Sequence, residues 1–300
     1  MPPLIRVLPE IQRALDSRRS VVALESSVLA QGLPRPQNRE AAERMTAAVE
    51  HAGAAAAITA VVRGVPTLGL APDELERFLI EPGIRKVSAR DVPFAVQRKL
   101  DGATTVAASL AIASGGGAQV FATGGIGGVH RGAPFDESAD LAELACTSMV
   151  VVCAGAKSIL DLHATVERLE TLGVPIVGYR TDELPGFFTA ETGIPLNARA
   201  DAAGEIAEVF RAQRAFGRRQ ALLVVQPPPR EHALPREIVD RAVDRAIDQA
   251  ARAGVHGSAL TPHLLSELVR LTGGGSLAAN LALLERNASL AGEIAVALSQ

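Results

Sequence analysis

Short apolar runs alternate with helix-period stretches through the first three quarters of the chain. Runs at 20–24, 57–62, 119–123, 149–153, 175–179 and 221–225 are rich in Val, Ile, Leu and Ala, the pattern of strands buried on both faces. Between them, the segments 38–52, 72–79, 104–113, 139–147, 159–172 and 203–216 space their apolar residues three and four apart and predict helices. Buried strands separated by helices of this length predict a mostly parallel sheet. After QPPPR at 226–230 the pattern changes, and 236–253, 262–271 and 277–298 all read as helix, expected to pack on the sheet. The expected fold is α/β: a single α/β/α sandwich domain over 1–300, with a mostly parallel central sheet and a helical C-terminal third. In such sheets ligands gather beyond the carboxyl ends of the strands. Polar or glycine-rich residues that directly follow a strand are therefore the candidates for chemistry.

Composition narrows the class. A chain of 300 residues can bury about three quarters of its unfolded surface, and 48% apolar with 21% charged residues is the balance of a folded globular protein. The net charge is −3 and the pI about 6.1. Arginines at 211–219 and 236–245 are interleaved with apolar residues at helical spacing, which makes them solvated helix faces, so no nucleic-acid partner is expected. No run of about eighteen apolar residues could span a bilayer, and the first residues are too short and polar for a signal peptide. Cys146 and Cys153 lie in an apolar stretch without zinc spacing and read as buried, reduced thiols of a cytoplasmic protein. The NAS sequon at 287–289 is set aside on the same ground.

Only three of thirty basic side chains are lysine: Lys86, Lys99 and Lys157. Lysine can lose its proton and attack a carbonyl where arginine cannot. Lys157 follows the apolar run 149–153 and a small-residue turn, where desolvation would free its amine as a nucleophile; a snorkelling strand-end lysine is the plainer alternative. Glu25 ends another run and could serve as a general acid or base, or simply cap the next turn. TGGIGGVHRG at 123–132 has four glycines in five positions, fit for close approach of backbone to a ligand, for an anion nest, or for a flexible loop. His130, Arg131, Asp136, Ser138 and Asp140 follow, a set that suits Mg²⁺ or Mn²⁺ with retained waters, or an ordinary capped helix at Ser138. GATTV at 102–106 and GGGSLAAN at 273–280 each lead into a helix and could cradle a phosphate, with Lys86 supplying charge.

Read together, ALESS (23–27), GLPRPQN (32–38), KVSARD (86–91), GATTV (102–106), TGGIGGVHRG (123–132), SADL (138–141) and CAGAKS (153–158) resemble the pseudouridine-5'-phosphate glycosidase family. GYRT (178–181), LPGFF (184–188) and GGGSL (273–277) agree in the same order, so the resemblance covers nearly the whole chain. It implies cleavage of the carbon–carbon glycosidic bond of pseudouridine 5'-phosphate to uracil and ribose 5-phosphate. Glu25 is implied as proton donor, Lys157 as Schiff-base nucleophile and Asp136 as ligand of a divalent ion, usually Mn²⁺. Lys86, Val106, Ser138, Ala139 and Asp140 match substrate-contacting positions, and Thr105, His130 and Asn280 are expected in the same pocket. The family assembles as a homotrimer. The stretch 132–135 is shorter than the family's loop before the metal aspartate. A Schiff-base lyase or aldolase, or a C-glycosynthase acting on another sugar phosphate, would want the same lysine and acid. A non-catalytic sugar-phosphate binder would dispense with them.

Overall fold

The computed structural model describes residues 4–132, 135–255 and 260–300. The first part of the chain forms β1 (Arg6–Val7), α1 (Pro9–Asp16), β2 (Val21–Leu24), a π-helical turn (Val28–Gly32), α2 (Gln37–His51), β3 (Ala55–Val62), β4 (Val65–Leu68) and α3 (Pro72–Ile80). Next come β5 (Arg85–Val87), a 3₁₀ turn (Ala89–Asp91), α4 (Val92–Gln97), β6 (Gly102–Thr104), α5 (Val106–Gly115), β7 (Val120–Ala122), β8 (Val129–His130) and α6 (Ala139–Leu144). They are followed by β9 (Val150–Cys153), β10 (Leu160–Asp161), α7 (Leu162–Thr171), β11 (Ile176–Tyr179), β12 (Arg199–Ala200), α8 (Ala203–Ala215) and β13 (Leu222–Val225). Three helices finish the chain: α9 (Arg236–Arg252), α10 (Leu260–Leu271) and α11 (Gly275–Ser299).

The main sheet runs β1-β4-β3-β2-β7-β9-β13-β11-β12, with β6 added beside β3 and β5 beside β6. Its six central strands, β3 to β11 in that order, are all mutually parallel and are the six expected from the apolar runs. Every residue of β2, β7, β9 and β13 is buried, so both faces of the sheet are covered. On one side α11 packs against α2 and α8 and lies over β2, β7 and β9; α5 packs with α6 and reaches β2 and β3. The chain is therefore mixed α/β with a mostly parallel sheet and a C-terminal helix against it.

The strands absent from the sequence expectation are short or antiparallel. β4 turns back on β3 through Arg63 and Gly64, both with positive φ. The segment 104–113, expected as one helix, starts differently. Gly102–Thr104 is a strand, Thr105 caps, and the helix opens at Val106. The reason is a buried cluster of hydroxyls. Thr104 N donates to Ser26 Oγ at 2.9 Å, and Thr104 Oγ1 lies 2.9 Å from Thr59 Oγ1 and 3.0 Å from Ser109 Oγ. These contacts, with pairing to β5 and β3, hold Thr104 extended. A second difference concerns the thiols: Cys153 is buried as expected, but Cys146 is exposed, because it lies in the turn after α6.

Candidate functional site

The carboxyl ends of β2, β7 and β9 converge on one narrow cleft that opens to solvent. Glu25 follows β2, Thr123 and Gly124 follow β7, and Lys157 stands four residues beyond β9. Lys86 on β5, Asn280 on α11, Ser27, Gln31 and Thr261 add to its polar lining, with Phe187 and Leu265 apolar beside them. Four sequence candidates, Glu25, Lys86, Lys157 and Asn280, are thus brought together although they are up to 255 positions apart.

Lys157 is placed by a tight turn. Gly155 has φ +85°, and a Cβ there would stand 2.3 Å from the Pro185 carbonyl oxygen. Ala154 N donates to Gly124 O at 2.9 Å and Lys157 N to Ile126 O at 3.1 Å, which ties the lysine's backbone to the glycine loop. Those glycines are required by packing. A Cβ at Gly125 would meet the Phe187 ring at 2.6 Å, one at Gly127 the Ser138 hydroxyl at 2.2 Å, and one at Gly128 the Thr165 hydroxyl at 2.3 Å. The loop is built by close approach of protein to protein, and Gly127 N is already spent on a carboxylate.

Glu25 is 5% exposed and its carboxyl is pushed up to about 7. Burial is the main cause. Lys157 opposes it, Asp140 adds to it, and Lys86 opposes it more weakly. The Thr123 hydroxyl is a last, small influence towards the ionised form, but it falls short of hydrogen-bond geometry: Glu25 Oε2 and Thr123 Oγ1 are both buried without a partner. The Lys86 amine is lowered from its ordinary value, first by burial and then by Lys157, while Glu25 and Asp140 pull it back. Lys86 still meets solvent overall, so that lowering is screened and carries less weight than the shift at Glu25. The result is a carboxyl poised between its two states near neutral pH, in a cleft it shares with two amines.

Asp140 is buried behind the cleft and accepts from Ala107 N at 3.0 Å and Gly127 N at 2.8 Å. It joins the start of α5 to the glycine loop. Ser138 caps α6 and accepts from Asp140 N, Thr105 Oγ1 accepts from Ala108 N, and Val106 opens α5 beside Asp140's contact. Thr105, Val106, Ser138 and Asp140 therefore form a packed shoulder, of which Asp140 reaches Glu25 and Lys86 electrostatically. Ala139 is exposed.

His130 and Asp136 are not on the cleft wall. His130 pairs with Leu160 in the small β8–β10 sheet, and its backbone N donates to Asp136 O at 2.9 Å. The Asp136 side chain is exposed, without a protein partner among the described residues, while neighbouring Glu137 is held by Arg168 at 2.9 Å. No group of three or more His, Cys, Asp or Glu capable of holding a metal occurs among the described residues. A lone free carboxylate fits only a hard ion that keeps most of its waters, as Mn²⁺ or Mg²⁺ can. The short loop 132–135 lies partly outside the described residues.

Sequence reasoning missed Gln31, Phe187 and Leu265 as cleft residues and named Thr123 only as the first residue of the glycine-rich string. Thr123 had a signal, since it directly follows β7. Gln31 had a weaker one, being the polar residue of the turn after β2.

Residues 10–297 match the family described as indigoidine synthase A like protein. The chain is 61% identical over 293 residues to a pseudouridine-5'-phosphate glycosidase of Gemmatimonas aurantiaca, covering 98% of this chain and 96% of that one. It is 51% identical to the enzyme of the same name from Herpetosiphon aurantiacus, with 97% of each covered. Among solved structures, the prealnumycin C-glycosynthase AlnA in complex with ribulose 5-phosphate superposes with a TM-score of 0.92 at 40% identity, over 100% of this chain and 98% of that one. An indigoidine synthase A-like protein of Thermotoga maritima gives 0.91 at 36%, over 99% and 97%. Full-length matches of this kind leave one assignment: the chain belongs to the indigoidine synthase A-like family, with the pseudouridine-5'-phosphate glycosidases.

Proposed function

We propose that this protein hydrolyses the C–C glycosidic bond of pseudouridine 5'-phosphate, releasing uracil and ribose 5-phosphate, in a reversible reaction. The observation that carries the reading is the pairing in one cleft of Lys157 with a buried carboxyl pushed up to about 7. The names of the relatives support the substrate.

The base is joined through carbon, so its departure requires protonation at that carbon, which is difficult while the ribose ring is closed. Attack of the Lys157 amine on C1' breaks the C1'–O4' bond, and Glu25 delivers the proton that O4' needs. Reprotonated from solvent, Glu25 then supplies a proton to the base carbon as the C1'–C5 electron pair leaves with uracil. The nitrogen lone pair forms the imine, and water hydrolyses it to ribose 5-phosphate and free Lys157. Lys86 offers a cation for the phosphate, which keeps the opened sugar in register. Asp136 would hold a hydrated Mn²⁺, whose charge would help to neutralise the substrate's anionic groups. A homotrimer and a cytoplasmic location belong to the same proposal and rest on the family resemblance; two free cysteines suit a reducing compartment.

The test is incubation with pseudouridine 5'-phosphate and Mn²⁺, borohydride trapping and peptide mass analysis. Uracil release with a ribose-phosphate adduct on Lys157, absent from Lys157→Ala, is expected. Neither uracil nor adduct would sink the reading. The likeness to a C-glycosynthase bound to ribulose 5-phosphate favours a second reading, bond formation on another acceptor. Adduct formation without uracil release would select it.

A further inference from the structure

The cleft continues into a second compartment. Gln31, Gly32, Leu265 and Asn280 line both spaces, and the second adds Phe188 and Ser276. Three hydrogen-bonding atoms in these walls are buried without a protein partner: Gln31 Oε1, Asn280 Oδ1 and Ser276 Oγ. Buried polar groups in folded proteins are normally paired, so three orphans around one space mark places a ligand fills. The orientation of the Gln31 amide is fixed. Its Nε2 donates to Ile84 O at 2.8 Å, which leaves Oε1 as an acceptor.

We propose that Gln31 is a specificity determinant that reads the C-linked base, with Ser276 as its helper. This rests on the glycosidase reading above and deepens it. A uracil joined to sugar through carbon keeps two ring N–H donors, whereas one joined through nitrogen keeps a single donor. Gln31 Oε1 and Asn280 Oδ1 are two acceptors for those two donors, and the Ser276 hydroxyl can donate to a ring carbonyl. The neighbouring walls suit a flat ring, since Val28, Phe187 and Leu265 are apolar. A phosphate would find carbonyl oxygens in this part of the cleft, which repel it. An N-linked nucleotide would leave one buried acceptor unpaired, the kind of mismatch that separates close analogues most strongly.

Binding of uracil, 1-methyluracil and 3-methyluracil in the presence of ribose 5-phosphate tests the assignment by calorimetry. The protein should bind uracil about tenfold or more tightly than either methylated base, because each methyl removes one donor. Gln31→Met should weaken uracil by about tenfold and lose discrimination against one of the two methylated bases while keeping it against the other. Equal binding of all three bases by the unaltered protein overturns the proposal, and so does full discrimination retained in Gln31→Met. The wild-type comparison decides even if the variant folds poorly. Trapping of ribose 5-phosphate on Lys157 separates the two failures. An adduct without base discrimination removes the Gln31 assignment alone, and no adduct with no uracil binding removes the glycosidase reading with it.

Discussion

Glu25 is a carboxyl that the fold keeps protonated longer than water would. Below its ordinary value of 4.5 the group is neutral whether the chain is folded or not. Between 4.5 and about 7 only the unfolded chain releases the proton, so stability falls as pH rises through that window and levels off above it. Glu25→Gln should therefore gain stability over the parent as pH rises, by roughly 1–3 kcal/mol at pH 8, and show no such gain at pH 4. Thermal denaturation at a series of pH values checks this, and a constant offset would contradict it. The same variant should lose about a hundredfold or more in uracil release, because a group that cannot give up a proton replaces the acid. Glu25 and Lys157 were legible in the sequence because each stands at or just beyond an uninterrupted apolar run. Gln31 was not, since nothing local shows that its amide nitrogen is held by Ile84 and its oxygen left free. Asn287 shows the opposite case. Its sequon could be set aside only from an argument about compartment, yet the residue is 1% exposed and donates to Thr123 O at 2.8 Å, holding the end of β7.

At the scale of elements, the turn after β9 and the hydroxyl cluster behind β2 do the positioning. Gly155→Ala should cost about 2 kcal/mol or more, since it adds a positive-φ penalty to a clash with the Pro185 carbonyl. Its rate of adduct formation on Lys157 should fall beyond what the loss of stability explains, because relief of the clash moves the lysine. Thr59 Oγ1 lies within hydrogen-bond distance of Leu24 O, Thr104 Oγ1 and Ser109 Oγ. Thr59→Val keeps the shape and removes one hydrogen bond from each of those partners, while Thr104 Oγ1 and Ser109 Oγ keep each other, with an expected loss of about 1 kcal/mol in chemical denaturation. A change under a few tenths would show the cluster repairs itself. The central strands were readable because parallel strands covered on both faces leave an unbroken apolar signature. The short outer strands were not. β1, β5, β6 and β12 are two or three residues long, and β6 owes its conformation to Ser26 and Thr59, far away in sequence.

For the whole molecule, the order of strands matters more than their number. The chain lays β2, β7 and β9 side by side, so that one acid, one threonine and one lysine from distant positions meet at a common edge. That meeting could be anticipated from the general rule for parallel sheets, but not the lateral order that brings it about. The proposed trimer is checked by sedimentation: a mass near three times the 31.2 kDa chain is expected, and a monomer at working concentrations would remove that part of the proposal.

α11 covers β2, β7 and β9 and packs on α2 and α8, and its first two turns carry Ser276 and Asn280 into the cleft. Near its other end, Ala295 O accepts from Ser20 Oγ at 2.9 Å, just before β2 begins. One rod thus braces the sheet along the strands that bear the chemistry and also walls the site. Such a design has no graded failure. A fragment ending before Gly275 would lack both a cleft wall and the shelter of three strands at once, so partial digestion should yield inactive debris and no weakened enzyme. Denaturant curves followed by uracil release and by helical content should accordingly share one midpoint. Activity in this fold is a property the chain acquires and surrenders in the same step as its architecture.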